Sequence, residues 1–356
     1  MDKNQAAASI EAMFRKQVSK DKNVKNAYLL VHSDPKDIHI NLAEGATGGV
    51  PADPRQPNYM ASVGKLFTST IVGILHQQGT LSFDDRIAEH LDQDLLNGLH
   101  VHNGVDHTNE IRIKHLLNQT SGLADNFEPL LDELLADPDF KITPREAIQW
   151  VKKNSEAHFA PGAGFLYTDT NYHLLGLIIE KRTGLPFHEA LKQYIYQPLE
   201  MKHSSMLHYS ESMEICSFPI ADFYARGTRL NEVEAYGSLD YAGGGVVAPP
   251  EDLLKFMQAL VSYQLVSEDT LQTMMATRNR FTIGIQYGYG IWHITPVPVL
   301  MPKRYASWGA AGATGAFLFY HPEMDAYFIG TFNDLSYKRK FLRFMGKTMN
   351  QLWKVK

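Results

Sequence analysis

The chain has 356 residues, of which 44% are apolar and 21% charged, and its formal net charge is −5. This length and composition are typical of a globular protein that buries a large core and has room for two lobes. The charge gives no electrostatic reason to expect a nucleic acid or an anionic membrane as partner, and no apolar run approaches the roughly 18 residues of a membrane span.

The first 26 residues alternate charged and short apolar stretches, a pattern that predicts a polar amphipathic helix and lacks the core of a signal peptide. Cys216 is the single cysteine, so the chain cannot form an internal disulfide and is compatible with a reducing compartment. Together these features predict a cytoplasmic protein.

Two strands are expected next, over residues 24–31 and 38–42, because β-branched and aromatic residues are frequent in both. The sequence Ser33-Asp34-Pro35 between them has the composition of a turn. We therefore expect these two strands to pair.

Ser62 and Lys65 are the first candidate catalytic residues along the chain. Residues three apart share one face of a helix, so the hydroxyl and the amine are expected side by side. An apolar stripe at helical spacing follows them and would bury the amine: Leu66, Phe67, Ile71, Ile74 and Leu75. Because burial favours the neutral form of an amine, Lys65 is expected to accept the proton of a nucleophilic Ser62.

The Ser-x-x-Lys pattern also occurs at Ser19–Lys22 and at Ser33–Lys36. The first of these lies in a run of charges without an apolar wall, and the second contains Asp-Pro, which breaks a helix. The surrounding sequence, rather than the pattern itself, therefore singles out Ser62.

Between residues 80 and 240 the apolar periodicity is mostly helical. Helices are expected over residues 113–117, 144–153, 172–182 and 187–196. Three histidines of this region, His100, His102 and His107, surround a flexible turn with no cysteine nearby. A solvated loop is therefore favoured over a metal site, and no metal is expected.

Tyr167 is the second candidate, in a loop rich in glycine and proline just before a helix that Thr170 is expected to cap. A tyrosine in such a loop often does no more than pack its ring and satisfy its hydroxyl. Beside an ammonium, however, a phenol can share a proton and act first as base and then as acid. At this point both interpretations stay open.

Gly243-Gly244-Gly245 has no strand–turn–helix context with a downstream acid, so a dinucleotide-binding loop is not expected there. The three glycines are interpreted as a tight turn that leads into a helix starting at Pro249-Pro250-Glu251.

The third candidate region comprises residues 307–315, which are mostly small and precede an expected strand over 317–320. Small residues on an edge strand would let a substrate backbone pair with the main chain, and a backbone N–H here could join that of Ser62 in an oxyanion hole. A simple glycine-rich hairpin is the alternative. Further strands are expected over residues 287–294 and 326–332, and a basic amphipathic helix over 337–356.

The order of these elements predicts an α/β (α+β) protein in which helices flank an antiparallel sheet and a mostly helical lobe is inserted. Residues 1–80 and 240–356 are expected to form the sheet lobe, and residues 81–239 the helical lobe. A cleft between the lobes is the expected place for a small-molecule site.

Several stretches, taken in order from about residue 25 to 335, resemble the serine β-lactamase and penicillin-binding superfamily, in particular its class C β-lactamase-like branch. That branch includes D-aminopeptidases, D-alanyl-D-alanine carboxypeptidases and family VIII carboxylesterases. The stretches that carry the resemblance are Ala61 to Thr68, Gly79 to Asp85, Ile113 to Leu123, Pro161 to Gly176, Tyr241 to Gly245 and Tyr287 to Gly290. The resemblance implies a β-lactamase/transpeptidase-like fold.

The resemblance also implies roles for individual residues: Ser62 as the acyl-accepting nucleophile, Lys65 as its proton partner, and Tyr167 as base and acid. No metal and no organic cofactor is implied. Asp169 stands where the family usually has asparagine, so a carboxylate replaces an amide that both donates and accepts hydrogen bonds.

The third motif differs more strongly from the family pattern, because its usual lysine or histidine is missing. Two registers are open: Ala310-Ala311-Gly312, followed by Ala313, or Trp308-Gly309-Ala310, which is similar to the Trp-Gly-Gly of some esterases. The missing cation should cost about 1.5–3 kcal/mol of binding to a substrate carboxylate. Asp169, Trp308, Gly312 and Ala313 are the candidate substrate-binding residues.

The predicted function is that of a serine hydrolase acting on small acyl esters through a Ser62 acyl-enzyme. Its partner would be a small acyl substrate, an ester or else a lactam or D-amino-acid peptide. Within the same chemistry the alternatives are a weak β-lactamase, a D-amino-acid peptidase and an acyltransferase. From another class, a non-catalytic binding protein on the same fold stays open. The oligomeric state is not predicted.

Overall fold

The computed structural model describes residues 1–137, 139–298 and 301–355. Within these residues the chain forms sixteen strands: β1 (Asn26–Ser33), β2 (Ile38–Thr47), β3 (Val50–Pro51), β4 (Asn58–Tyr59), β5 (Val101–His102), β6 (Val105–Asp106), β7 (Ser205–Met206), β8 (Tyr224–Ala225), β9 (Thr228–Arg229), β10 (Val246–Ala248), β11 (Asn279–Thr282), β12 (Ile285–Tyr287), β13 (Trp292–Ile294), β14 (Ser307–Ala311), β15 (Phe317–His321) and β16 (Ala326–Thr331).

The same described residues contain twelve α-helices: α1 (Lys3–Lys20), α2 (Gly64–Gln77), α3 (Gln93–Leu96), α4 (Ile113–Leu117), α5 (Phe127–Ala136), α6 (Pro144–Asn154), α7 (Thr170–Thr183), α8 (Phe187–Leu191), α9 (Glu234–Gly244), α10 (Pro250–Val261), α11 (Glu268–Ala276) and α12 (Lys340–Trp353). A π-helical turn over Lys192–Tyr196 extends α8.

An antiparallel nine-stranded sheet forms the centre, in the order β11-β12-β13-β14-β15-β16-β1-β2-β3. Almost every residue of the central strands β1, β14, β15 and β16 is buried, because helices cover both faces of the sheet. Helices α1 and α12 bury one face, and α2 and α10 pack on the other. The predicted fold class is thus confirmed.

Strand β4 lies outside the large sheet, in a small sheet of order β4-β10-β7. The chain between β4 and α2 carries Ser62, and β10 follows directly after the glycines 243–245. Pairing of β4 with β10 therefore brings the start of α2 and the end of α9 together.

Most predicted elements are present, among them the paired β1 and β2. The single strand predicted over residues 287–294 is wrong, since the chain reverses between β12 and β13, where Gly290 has a φ of +73° that an extended strand does not allow. The helix predicted from residue 337 begins at Lys340, and its expected end at Lys356 lies outside the described residues.

Two local expectations are corrected. Asp169, and not Thr170, occupies the N-cap position of α7, and its side chain makes no capping hydrogen bond. His100 is fully buried instead of lying in a solvated loop.

The sheet strands come from residues 26–51 and 279–331, and most of the helices lie between these segments in sequence. The division into lobes at residues 80 and 240 agrees with this order and stays a prediction. In the described part of the chain, none of the helices has both the length and the apolar character that crossing a membrane requires.

Candidate active site

Ser62 lies in a tight turn that joins β4 to α2. A short 3-10 turn over Ala61–Val63 leads directly into α2, and Ala61 adopts a φ of +48°. A left-handed conformation is costly for alanine and persists only where the surrounding structure holds it. Gly64 lets the start of α2 approach the chain closely, because a Cβ there would lie 2.8 Å from the Cα of Gly244.

Lys65 is buried beneath Ser62, with only 1% of its surface exposed. Its Nζ donates hydrogen bonds to the Ser62 Oγ at 3.1 Å and to the Gly243 carbonyl at 2.9 Å, and it forms an ion pair with the Asp169 carboxylate. The predicted pairing of hydroxyl and amine is thus present in the structure.

The electrostatic expectation for Lys65 fails. Burial alone lowers the pKa of the Lys65 ammonium, but the negative charges of Asp169 and Asp240, together with Tyr167, raise it more, so the pKa lies above its ordinary value. The apolar stripe correctly indicated the burial of the amine. It did not reveal a carboxylate 104 residues further along the chain, which keeps the amine protonated.

Tyr167 reaches the same place from the loop before α7. The centre of its ring lies 5.1 Å from the Lys65 Nζ, and the ring packs edge-on against Tyr287 and Phe281. Burial, first of all, raises the pKa of the Tyr167 phenol, and the lowering effect of the Lys65 charge does not cancel this. At neutral pH the phenol is therefore protonated.

Gln119 fixes the loop that carries Tyr167. Its backbone carbonyl accepts from the Leu166 N–H at 3.0 Å, and its Oε1 accepts from the Thr168 N–H at 3.0 Å and from Asn171 Nδ2 at 2.6 Å. Gln119 itself has a φ of +64°. It lies in one of the stretches that carry the sequence resemblance, but this contact could not be predicted from the sequence.

Two further carboxyl groups, Asp125 and Asp240, were missed by the sequence reasoning. The hydroxyl of Tyr59 donates to Asp240, and burial, reinforced by the Asp169 charge, raises the pKa of Asp240 to about 7. The Oδ1 of Asp125 accepts from the Asp169 N–H at 2.7 Å, and burial raises the pKa of Asp125 to about 6. Neither position belongs to a recognisable motif, so only the fold brings them to Ser62.

The glycines 243 and 244 pass between these charged groups. A Cβ on Gly243 would lie 2.6 Å from Asp169 Oδ1, and one on Gly244 would lie 2.0 Å from Asp240 Oδ2. Neither glycine adopts a positive φ, so close approach is the reason for the missing side chain. The expected helix does follow, since α10 begins at Pro250.

The third candidate region is strand β14 and the turn after it. β14 is an internal strand and not the expected edge strand, but its pairing with β13 stops at Gly309, opposite Trp292. Gly312 lies against the turn before Ser62, since a Cβ there would be 2.6 Å from the Met60 carbonyl oxygen. The side of β14 beyond Gly309 is therefore not covered by β13.

The geometry distinguishes the two possible registers. Gly312 and Ala313 line the same cavity as Ser62, whereas Trp308 packs in the core against Tyr320 and does not line it. Within the described chain, the N–H groups of Ser62 and Ala313 have no hydrogen-bond acceptor. The structure therefore brings Ala311, Gly312 and Ala313, and not Trp308, to the cavity of the nucleophile, which favours the register Ala310-Ala311-Gly312.

The cavity has a volume of about 660 Å³. Its lining includes carboxyl groups, aromatic and aliphatic side chains and two exposed cations. The carboxyl groups belong to Asp125, Glu128, Asp169 and Asp240, and the cations are Lys338 and Arg339. The principal apolar residues of the lining are Phe127, Phe281, Ile285, Trp292, Phe341 and Leu342. Such a site can hold a small molecule with an apolar part beside the nucleophile.

One group of candidate metal ligands occurs in the described chain: Asp85, Glu89 and His90. It does not line the cavity, and Asp85 Oδ2 already lies 3.1 Å from His90 Nε2 and accepts from the Ser82 N–H at 2.7 Å. The histidines near residue 100 are not part of it.

Several known proteins are similar to this chain. The Beta-lactamase family profile matches residues 15–343. Protein flp of Staphylococcus aureus (strain MW2) is 30% identical over 156 residues, which cover 44% of this chain and 29% of that protein. Penicillin-binding protein 4* of Bacillus subtilis (strain 168) is 27% identical over 250 residues, which cover 65% of this chain and 51% of that protein.

This chain thus matches about a third of the first of these relatives and half of the second. Among solved structures, the D-amino acid amidase from Ochrobactrum anthropi SV3, complexed with L-phenylalanine, superposes with a TM-score of 0.78. The superposition covers 98% of both chains at 21% identity, so it shows a common fold.

Proposed function

The chain belongs to the Beta-lactamase family, and on that premise we propose that it is a serine hydrolase that forms an acyl-enzyme on Ser62. One observation carries the proposal: the Ser62 Oγ lies 3.1 Å from the Lys65 Nζ, which itself lies 5.1 Å from the Tyr167 ring, at one cavity. A nucleophile in reach of two titratable groups is the arrangement that covalent catalysis needs.

Acylation begins when the Ser62 oxygen attacks a carbonyl carbon and its proton passes to the Lys65–Tyr167 pair. Because both members of the pair are protonated at rest, one of them must first release a proton to solvent. The Lys65 ammonium then stabilises the Tyr167 phenolate, or the neutral amine accepts the proton directly. In this proposal the N–H groups of Ser62 and Ala313, which line the cavity and have no acceptor in the described chain, bind the developing oxyanion.

Collapse of the tetrahedral intermediate breaks the bond to the leaving group, which takes the proton from the Lys65–Tyr167 pair. Water then attacks the acyl-enzyme, again with proton transfer through the pair, and releases the acid. An alcohol or amine in place of this water would give acyl transfer instead of hydrolysis.

For the substrate we propose a small ester. The position that would carry a lysine or histidine in the third motif is Ala310, so no cation from β14 holds a substrate carboxylate. The loss of one charge-assisted hydrogen bond costs about 1.5–3 kcal/mol and weighs against penicillins and D-alanyl-D-alanine peptides. Ile285 and Leu342 also line a neighbouring apolar cavity of about 340 Å³, which favours an apolar group on the substrate.

An amide substrate is the second candidate, because the structurally similar protein from Ochrobactrum anthropi is named a D-amino acid amidase. Comparison of p-nitrophenyl butyrate, phenylalanine amide and a chromogenic cephalosporin would rank ester, amide and lactam. Preference for the cephalosporin would contradict the argument from Ala310.

Labelling with a fluorophosphonate tests the catalytic proposal directly. We expect a mass gain on the peptide that contains Ser62, and none in Ser62→Ala. The alternative is the non-catalytic binding protein. It would be supported if the protein binds p-nitrophenyl butyrate without turnover and stays unlabelled while a control serine hydrolase is labelled.

A cytoplasmic location belongs to the same proposal. It rests on the single Cys216, which suits a reducing compartment.

A further inference from the structure

The cavity around Ser62 contains more carboxyl groups than the buried Lys65 ammonium can balance. Asp125, Asp169 and Asp240 all line it, and Lys65 is the buried cation beside them. Lys65 is already engaged with Asp169, Gly243 and Ser62. A buried carboxylate without a cation is costly, so an excess of this kind indicates a ligand that supplies the missing positive charge.

Resting on the proposed function, we propose that Asp240 binds a primary ammonium group of the acyl donor and makes the enzyme selective for cationic substrates. Asp240 is 2% exposed and lines the cavity. Its Oδ2 accepts from the Tyr59 hydroxyl, whereas its Oδ1 has no hydrogen-bond donor within the described chain.

The other two carboxyl groups are already used by the protein. Asp169 pairs with Lys65. The Oδ1 of Asp125 accepts from the Asp169 N–H at 2.7 Å and from the Thr168 hydroxyl at 3.1 Å, which fixes the start of α7. Among the three, Asp240 is the carboxyl group that in the described chain accepts from neither a cation nor a backbone N–H, since its hydrogen-bond donor is the Tyr59 hydroxyl, and it therefore has the most capacity left for a ligand.

The backbone around Asp240 is built to hold the carboxylate at this place. The next residue, Tyr241, adopts φ 37° and ψ −122°, which interrupts α9. Such a conformation is unfavourable for tyrosine and persists only where packing enforces it. Gly244 leaves the space that the Asp240 carboxylate occupies.

The cations near the cavity do not offset this charge. Lys338 is 62% exposed and lies 3.4 Å from Glu128, and Arg339 is exposed. Phe281 and Trp292, whose rings are 4.7 Å apart, form an aromatic wall of the same cavity. A ligand with an ammonium and an aromatic group thus matches both parts of the lining.

The first test compares the binding of three small ligands by calorimetry at pH 8: 2-phenylethylamine, 2-phenylethanol and 3-phenylpropanoate. We expect the Kd of the amine to be at least tenfold lower than that of the alcohol, and the carboxylate to bind most weakly. In Asp240→Asn the preference for the amine should disappear. Tyr59→Phe is the matched control, because it removes the partner of Asp240 and keeps the charge, so the preference should persist.

Equal binding of amine and alcohol to the wild-type protein, or an unchanged ratio in Asp240→Asn, would overturn the proposal. The wild-type comparison decides it even if Asp240→Asn does not fold. Fluorophosphonate labelling and hydrolysis of p-nitrophenyl butyrate report separately on the proposed function. A labelled, active enzyme without the amine preference would refute the role of Asp240 alone.

The substrate test uses methyl esters of phenylalanine and of 3-phenylpropanoic acid, which differ by the amino group. We expect kcat/KM to be at least tenfold higher for the phenylalanine ester, and Asp240→Asn to reduce this ratio mainly through KM. A ratio measured within one variant does not depend on the fraction of active enzyme. A ratio near one in the wild-type protein would contradict the proposal.

Discussion

Lys65 and Asp169 form an ion pair inside the protein, directly beside Ser62. The Asp169 carboxylate raises the pKa of Lys65 above its ordinary value even though burial of the amine acts in the opposite direction. The resting site therefore holds an ammonium and a neutral phenol, and the base that activates Ser62 forms only when one proton leaves.

The first prediction concerns the pH dependence of acylation. The pKa values of Lys65 and Tyr167 both lie above their ordinary values, so the basic form of the pair is scarce at neutral pH and increases as pH rises. We expect the rate of Ser62 labelling by a fluorophosphonate to rise steadily from pH 7 to 9. Ser62→Ala gives the background. A rate that levels off below pH 7 would show that another base activates the serine.

Replacing Asp169 with asparagine should move this profile. Asn keeps the size of the side chain but removes the charge that raises the pKa of Lys65, so the amine loses its proton at lower pH. We expect the rising limb of the labelling rate to shift to lower pH by on the order of one unit. An unchanged profile in Asp169→Asn would mean that Lys65 is not the titrating group.

Tyr167→Phe should reduce acylation about 100- to 10,000-fold, the usual contribution of a proton-transfer group. Tyr172→Phe is a matched control, because the Tyr172 ring is also buried and lies 5.3 Å from the Lys65 Nζ. Its hydroxyl, however, lies 3.1 Å from Ser69 Oγ. We expect the control to lose less than tenfold in labelling rate. Similar losses in both variants would indicate that Tyr167 contributes packing only.

Features that depend on residues close together in sequence could be predicted, whereas features that depend on residues distant in sequence could not. The burial of Lys65 and the position of Ser62 beside it follow from helical spacing, so they were predicted correctly. The charge state of Lys65 depends on Asp169, which is distant in sequence, and the prediction failed there. Asp240 was missed because its place beside the cavity arises from the interrupted helix α9.

The glycines near the site show the same limit. The run of three glycines predicted a turn. The position of Gly243 requires glycine because Asp169 and Lys65 approach it closely, which only the fold reveals. Likewise, the register of the third motif was open in the sequence. The position of Gly312, which packs against the turn before Ser62, favours the register Ala310-Ala311-Gly312.

Gly243→Ala should therefore disrupt the site. Its Cβ would lie 2.6 Å from Asp169 Oδ1 and 3.3 Å from the Lys65 Nζ, so the ion pair must shift. We expect at least a tenfold loss in labelling rate. Gly346→Ala is the control, because Gly346 is half-buried in helix α12, does not line the cavity that contains Ser62, and its Cβ would have its nearest atom, on the Tyr305 ring, at 3.8 Å. It should stabilise the protein by about 0.5–1 kcal/mol and leave labelling unchanged.

The last prediction links stability to the Asp240 carboxyl. The groups that face it are Tyr59, Tyr236, Asp169 and Lys65, and its pKa in the folded protein is raised to about 7. A raised carboxyl pKa means that the folded state holds a proton that the unfolded state releases. Stability therefore falls as pH rises from about 4 to 7, and the full penalty applies above pH 7.

Asparagine at position 240 carries no such penalty and can still accept from Tyr59. We expect Asp240→Asn to raise the Tm by several degrees at pH 8 and by clearly less at pH 5, as calorimetry would measure. Asp252→Asn is the control, because this buried carboxylate has a cation, Lys255, at 2.9 Å and accepts from the Ser204 hydroxyl at 3.0 Å. Its loss should lower the Tm at both pH values. A lower Tm for Asp240→Asn at pH 8 would mean that the Asp240 carboxylate is already balanced within the protein, and the case for a cationic ligand would lose its electrostatic basis.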